Sequence, residues 1–337
     1  MGATAGVIAV GGVGYYLYST QPWAPKPSAA LLSGKTVNLI VPYAAGGGYD
    51  LSTRTIAQYL PKYVDGIVPV VLNKPGGEAL LGPASVWAAN PDGLTVCLAN
   101  AYGNAYASMT HTYAQPFTIF DFKPLGRLTW GAEVIITKKD GGINTWQDFK
   151  KLGRPVKVGA LGIGDESGIP AIMTFALLGI PFQMVLGYAG SGDVMAAVVR
   201  GDVDTYTVDE DTAYQYVSAG SVLPVLTVYS KKITRFPDVP ALGELLTADQ
   251  SRILEVHDKI DELGRLLIVH PNTPNDIYDA WQDLLKKLFS DPDFASDQQK
   301  IRSFKSALGP EMQQNINATK PLLAEFKQLL TKVYPDL

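Results

Sequence analysis

From about residue 34 onward, short apolar runs alternate with glycine-broken turns and amphipathic stretches. Residues 37–41 form an apolar run with a β-branched bias, 42–48 break it, and Asp50 stands where it can cap a helix over 51–60. A second strand is predicted over 68–72, a second helix over 79–89 and a third strand over 94–99. After a crossover around 133–137 the pattern repeats, with strands over 156–160, 184–187 and 203–208 and helices over 168–178 and 193–199. Near the carboxyl end, Ile277, Ala280, Trp281, Leu284, Leu285 and Leu288 recur at helical spacing, as do Leu322, Phe326, Leu329, Leu330 and Val333. Both sets read as packing faces whose aromatics fill core. Regular alternation of strand and helix predicts an α/β fold of two units, each built on a parallel-rich sheet flanked by helices.

The two units share a turn. Pro42, Tyr43, Ala44, Ala45, Gly46, Gly47 and Gly48 lead from a strand into a helix at Asp50, and Gly187, Tyr188, Ala189, Gly190, Ser191 and Gly192 do the same before Asp193. In open α/β sheets ligands sit beyond the carboxyl ends of the strands. Helix amino termini there present unpaired N–H groups and partial positive charge, and glycine lets an anion approach the backbone. Two such turns facing across a cleft would clamp an anionic molecule; taken singly, each glycine run serves equally well as a tight turn. Nucleotide binding is disfavoured, because no lysine follows Gly46–Gly48 as a Walker loop requires and the pattern GxGxxG fails there and at 162–168.

Residues 162–168 make a third flexible turn. Its Ser167 does not meet the nucleophile pattern GxSxG, since Asp165 stands two residues before it, and it reads as a hydroxyl donor to a ligand or as a helix cap. His111, His257 and His270 have neither metal-ligand spacing nor a context marking a catalytic base, so they read as surface or packed histidines. Asp209, Glu210 and Asp211 follow a strand and most simply cap the next helix; one pointing inward would suit a ligand that also carries an amino group or hydroxyl. No cofactor or metal is called for.

Length and charge narrow the class. A chain of 337 residues exceeds what one core serves efficiently. With 28 basic against 32 acidic residues and no basic cluster, nucleic acid is excluded as a partner. Cys97, the one cysteine, reads as a core residue and permits no disulfide within the chain. Residues 2–18 are apolar or small and uncharged, and 20–33 are rich in Pro, Ser and Ala, so 1–33 is expected to be an export signal or membrane anchor with a tether.

The stretch VNLIVPYAAGGGYDLSTRTIAQYL, followed by VVLNKPGGEALLGPASVWAANPDGLTVCLAN, resembles the opening of the solute receptors of tripartite tricarboxylate transporters, the TctC or Bug family. Later segments agree, including RFPDVPALGE and HPNTP ahead of a long helix. The resemblance implies a periplasmic or otherwise extracytoplasmic, type II Venus-flytrap receptor, monomeric and not an enzyme. It would close on a small organic carboxylate (a di- or tricarboxylate, an aromatic acid or an acidic amino acid) and present it to integral membrane permease subunits. Lobe one would comprise 34–135 and 259–337, and lobe two 136–258. The residues implied to hold the ligand are Tyr43, Ala44, Ala45, Gly46, Gly47 and Asp50 in lobe one, and Gly164, Ser167, Tyr188, Gly190 and Asp193 in lobe two. Asp50 and Asp193 would orient and cap rather than touch the anion. Two departures from the family pattern stand out: Asp165 and Glu166 intervene in the second-lobe loop ahead of Ile169 and Pro170, and 247–263 is more helical and charged. A membrane-anchored sensor of the same fold, or a hydrolase using Ser167, are the alternatives.

Overall fold

A computed structural model describes residues 28–110 and 114–335. The apolar segment read over 2–18 and His111 lie outside the described residues. The chain joins the fold ahead of Gly34, because a 3-10 turn, Ser28–Leu32, buries Ala29 and Leu32 in the same apolar cluster as Trp281. It then lays down β1 (Thr36–Val41), α1 (Gly48–Tyr59), β2 (Val68–Asn73), α2 (Leu81–Trp87), β3 (Thr95–Asn100), α3 (Ala101–Ala107) and β4 (Lys123–Thr129). A second series follows: β5 (Glu133–Lys138), β6 (Val156–Gly159), α4 (Gly168–Leu177), β7 (Phe182–Val185), α5 (Ser191–Arg200), β8 (Thr205–Asp209), α6 (Glu210–Ser218) and β9 (Val222–Val228). The remainder is α7 (Ala248–Asp261), β10 (Arg265–Val269), α8 (Asn275–Phe289), α9 (Pro292–Ile301), β11 (Ala307–Leu308) and α10 (Gly309–Val333).

Strand β1 buries apolar side chains on both faces, Ile40 on one and Val37, Leu39 and Val41 on the other, which suits a strand covered on either side. It pairs in parallel with β2, Ile40 opposite Leu72, and with β3, Ile40 opposite Cys97. The first sheet has the order β11-β4-β10-β3-β1-β2 and the second β7-β6-β8-β5-β9. The chain leaves the first sheet after β4 and returns to it after β9. In each sheet the strand arriving from the other, β10 or β5, runs antiparallel between the third strand and the fourth. Both sheets therefore follow one plan, the two-sheet α/β arrangement with two crossovers that the sequence predicts.

Several predicted bounds shift for identifiable reasons. The helix expected over 79–89 begins only at Leu81, because Glu78 and Ala79 have φ of 53° and 65° and cannot open a right-handed helix. The strand expected over 184–187 ends at Val185, since Gly187, at φ 96°, already belongs to the turn. Trp281, fully buried on α8, donates from Nε1 to the carbonyl of Gly93 at 2.9 Å, so this core aromatic also ties a helix to a loop. Cys97 is buried as expected, and burial pushes its thiol well above the usual range.

Candidate functional site

The first turn leaves β1 and enters α1. Gly46 sits at φ 85°, which favours glycine. The cap of α1 is Gly47, with no side-chain cap bond, so Asp50 does not cap as expected. It stands one turn inside the helix and reaches back: Gly46 N–H donates to Oδ2 at 2.8 Å, Asn73 Nδ2 to Oδ1 at 3.0 Å and Arg54 Nε to Oδ2 at 2.9 Å. Asn73 Nδ2 also donates to the Tyr43 carbonyl at 3.0 Å. Asp50 is thus a latch that fixes the loop and occupies the Gly46 amide. The first helical bond runs from Leu51 N–H to the Gly47 carbonyl at 3.0 Å, leaving the amides of residues 48–50 without partners within the helix.

The second turn is built alike. Gly190, in extended backbone, caps α5 without a side-chain bond, and Asp193 is exposed in the first turn with its N–H donating to the Gly190 carbonyl at 3.0 Å. Its expected capping bond is therefore absent as well. The two turns meet around a cavity of about 400 Å³, where residues 43–49 face residues 190–193 and Thr212, Gln215 and Tyr216 of α6. A larger groove of about 600 Å³ lies beside the crossover, walled by Trp130, Lys231, Arg235 and Lys305. The candidate site is placed in the smaller cavity, because there the strand-to-helix turns of both sheets converge.

Of the implied ligand residues, Tyr43, Ala44, Ala45, Gly46, Gly47, Gly190 and Asp193 line this cavity. Asp50, Gly164, Ser167 and Tyr188 do not. Ser167 is fully buried; its Oγ donates to Asp165 Oδ1 and accepts from Leu161 N–H at 3.2 Å, so the hydroxyl serves its own loop. Gly164 packs on Ala107 and donates its N–H to Glu78 Oε2 at 3.1 Å, a contact between loops of the two sheets. Tyr188 lines a neighbouring recess of about 210 Å³ with Pro42, Tyr43 and Asp165.

Two arginines that the sequence reading did not single out complete the cavity. Arg265 opens β10, 3% exposed, with its guanidinium 3.7 Å from the ring centre of Tyr49. Arg302, just past α9 and 7% exposed, donates to Asp209 Oδ1 and, from Nη2, to Thr212 Oγ1 at 2.9 Å. Asp209 also lies 3.6 Å from Arg265 Nη2. Burial opposes ionisation of Asp209, but Arg302 and Arg265 outweigh it and hold the carboxyl below the usual range. Asp209 caps α6 as expected, accepting from Thr212 N–H at 3.0 Å. Arg265 Nη1 and Arg302 Nε are buried with no hydrogen-bond partner among the described residues. Glu166 faces the pair, accepting from Tyr102 OH at 2.8 Å and Tyr49 OH at 3.3 Å, and burial raises its carboxyl while Arg265 opposes the rise. Two guanidiniums, with Asp209 held ionised between them and Glu166 opposite, give the site the charged donors that an incoming anion needs.

The model of the family described as Tripartite tricarboxylate transporter family receptor matches residues 53–301. An Agrobacterium vitis relative, a UPF0065 protein in the TAR-I ttuE-ttuC' intergenic region, is 28% identical over 66% of this chain, and the match spans 64% of that protein's own length. Among solved structures, MatC from Rhodopseudomonas palustris with bound malate superposes at a TM-score of 0.71 with 19% identity, over 88% of this chain and 98% of that one. A second R. palustris protein, with adipate, superposes at 0.73 with 17% identity, over 88% and 96%. At these identities the structural matches establish the fold.

Proposed function

The chain belongs to the tripartite tricarboxylate transporter receptor family, and from that premise we propose that it binds a small organic carboxylate in the cavity between its two sheets, outside the cytoplasm, and delivers it to integral membrane permease subunits. The family is one of receptors, and the chemistry of the site agrees: Ser167 Oγ is bound to Asp165, and the groups facing the cavity are donors and charges that hold an anion. The observation that carries the reading is the pair of buried guanidiniums, Arg265 and Arg302, lining a cavity where helix-start amides also converge. A hydrogen bond to a charged group is worth about 1.5–3 kcal/mol, so a carboxylate that reaches either guanidinium is held firmly. The volume of about 400 Å³ accommodates a short dicarboxylate with ordered water. Malate and adipate, bound by two proteins of the same fold, set the ligand class to try first.

The test is a panel of malate, succinate, adipate, citrate, glutamate and benzoate, screened by thermal shift and then calorimetry, with the recovered ligand examined by mass spectrometry. One or more dicarboxylates are expected to bind one per chain and to be recovered unchanged. Chemical conversion of a ligand, or no shift with any acid, contradicts the proposal.

A further inference from the structure

We propose that Glu133, His257 and Asp261 form a binding site for one divalent transition cation, of the zinc or manganese class, buried where the chain crosses between the two sheets. The site is separate from the carboxylate cavity and does not depend on the receptor reading. Glu133 opens β5, the first strand after the chain leaves the first sheet; Asp261 ends α7, with His257 one turn before it, just ahead of β10, where the chain returns. Glu133 and His257 are fully buried and Asp261 is 1% exposed. One ligand atom from each lies within 4.8 Å of the others.

What distinguishes the cluster from an ordinary polar core is that these charged groups have almost only one another for partners. Both carboxylate oxygens of Glu133, both ring nitrogens of His257 and Oδ2 of Asp261 have no hydrogen-bond partner among the described residues. Instead they face one another. His257 Nδ1 lies 3.4 Å from Asp261 Oδ2 and 3.5 Å from Asp258 Oδ1, and Nε2 lies 3.8 Å from Glu133 Oε2. Burying several carboxylates around a single imidazole leaves excess negative charge in the interior, which is expensive, and a divalent ion is one of the things that offsets it. The remaining oxygen of Asp261 accepts from Tyr106 OH at 2.6 Å, and the Tyr106 ring stacks on the imidazole at 5.9 Å between centres, so the same tyrosine orients two of the ligands.

The donor set selects the ion. Calcium and magnesium prefer six or more oxygens, whereas imidazole with carboxylates suits zinc or manganese. Metal–ligand bonds of about 2.0–2.2 Å in a tetrahedral site put ligand atoms about 3.3 Å apart. The edge from His257 Nδ1 to Asp261 Oδ2, 3.4 Å, already has that length; Glu133, whose 3.8 Å approach is to the opposite ring nitrogen Nε2, has its ligand atom within 4.8 Å of the others and closes the site by drawing in by up to about 1.5 Å. Once bound, the ion joins the first residue of β5 to the end of α7, and so fastens the two crossover segments together. Glu133 pairs across β5 and β8 with Asp209, which holds Arg302, so the site lies one strand away from the cavity.

Full-length protein purified without chelator is analysed for metals, then unfolded in urea with EDTA and refolded with or without CoCl₂; folded, EDTA-treated protein is dialysed against CoCl₂ alongside. About one equivalent of zinc or manganese per chain is expected as purified. Cobalt uptake should give a visible absorption band of a nitrogen- and oxygen-ligated ion and raise the melting temperature by about 5 °C or more. Glu133→Gln, of the same shape without the charge, should keep the far-UV circular dichroism of the wild type and lose both metal and band; if it does not fold, His257→Gln replaces it with the same readouts. Protein that carries no metal and takes up no cobalt by either route overturns the proposal, as does cobalt binding that the substitution leaves unchanged. A metal-free Glu133→Gln that melts higher than wild type, with no cobalt entering either protein, also overturns it, by showing that the two carboxyls share a proton.

Discussion

A methyl group added to Gly48 would overlap Nη2, Nε and Cζ of Arg302. The glycine run is therefore more than a tight turn: one member lets a guanidinium lie against the loop, while Gly46 supplies the left-handed turn. Because Asp209 and Thr212 hold Arg302, it cannot swing aside freely, and Gly48→Ala should cost about 1–3 kcal/mol in urea unfolding. Gly192→Ala, where an added methyl meets nothing within 4 Å, should leave stability within about 1 kcal/mol of wild type. Arg302→Gln should weaken carboxylate binding by about 10- to 100-fold, the loss of one charged hydrogen bond, read by calorimetry. The first-loop residues at the cavity were legible because a glycine-rich strand-to-helix turn is a local signal. Arg302 was not, since nothing local marks a residue that reaches the loop from the far end of the chain. Arg265 left a trace that could have been followed: it is a charged residue at the head of the apolar run 266–269, where a buried strand has no use for one unless it serves a site.

At the scale of elements, the loop before α1 is held by Asp50 and Asn73 rather than by a cap. Asp50→Ala removes three acceptor contacts from a residue only 2% exposed and should cost about 1–3 kcal/mol, with a parallel loss of ligand affinity as the loop loosens. Asp50 was visible in the sequence as a residue that orients and caps, and only the cap is absent: a carboxylate just inside a helix start serves a cap or a preceding loop equally well on pattern alone. The same limit applies to α2, whose start is set by left-handed backbone at Glu78 and Ala79, and to α10, where the apolar spacing marks only the last turns of a helix that begins at Gly309 and runs through Pro321. The contact between Glu78 and Gly164 gives those left-handed residues a purpose, since it joins loops from the two sheets. An added methyl at Gly164 would sit 2.6 Å from the Cα of Ala107, so Gly164→Ala should hold the loops apart. Solution scattering with saturating ligand should then show a larger radius of gyration than the liganded wild type.

For the whole molecule, the interior beside the cavity is acidic enough to set its pH response. Burial, and then the neighbouring Glu166 charge, push the Asp165 carboxyl up to about 7, with Glu78 adding to the effect. Its folded value lies above that of the unfolded chain, so between about pH 4 and pH 7 the folded protein holds the proton more tightly and loses stability as the pH rises. A shift of that size corresponds to a loss on the order of 4 kcal/mol. The melting temperature should fall from pH 5 to pH 8, and Asp165→Asn should flatten the fall; a wild-type profile that is level or rises contradicts this. The two α/β units and the crossover near residue 133 were the most legible features of the sequence, because strand and helix periodicities repeat on either side of it; the return crossover ahead of β10 was implied only by the family resemblance. Convergence of Arg265, Arg302 and Glu166 on one cavity emerges only when the second sheet is folded against the first. The claim that two helix-start turns and two buried arginines together receive a carboxylate is tested most directly by a crystal structure with the tightest-binding acid of the panel. The expected result is a carboxylate in the cavity, hydrogen-bonded to the amides of Gly48 or Tyr49 and to Arg302 or Arg265; an acid bound elsewhere, with those nitrogens untouched, would contradict the account.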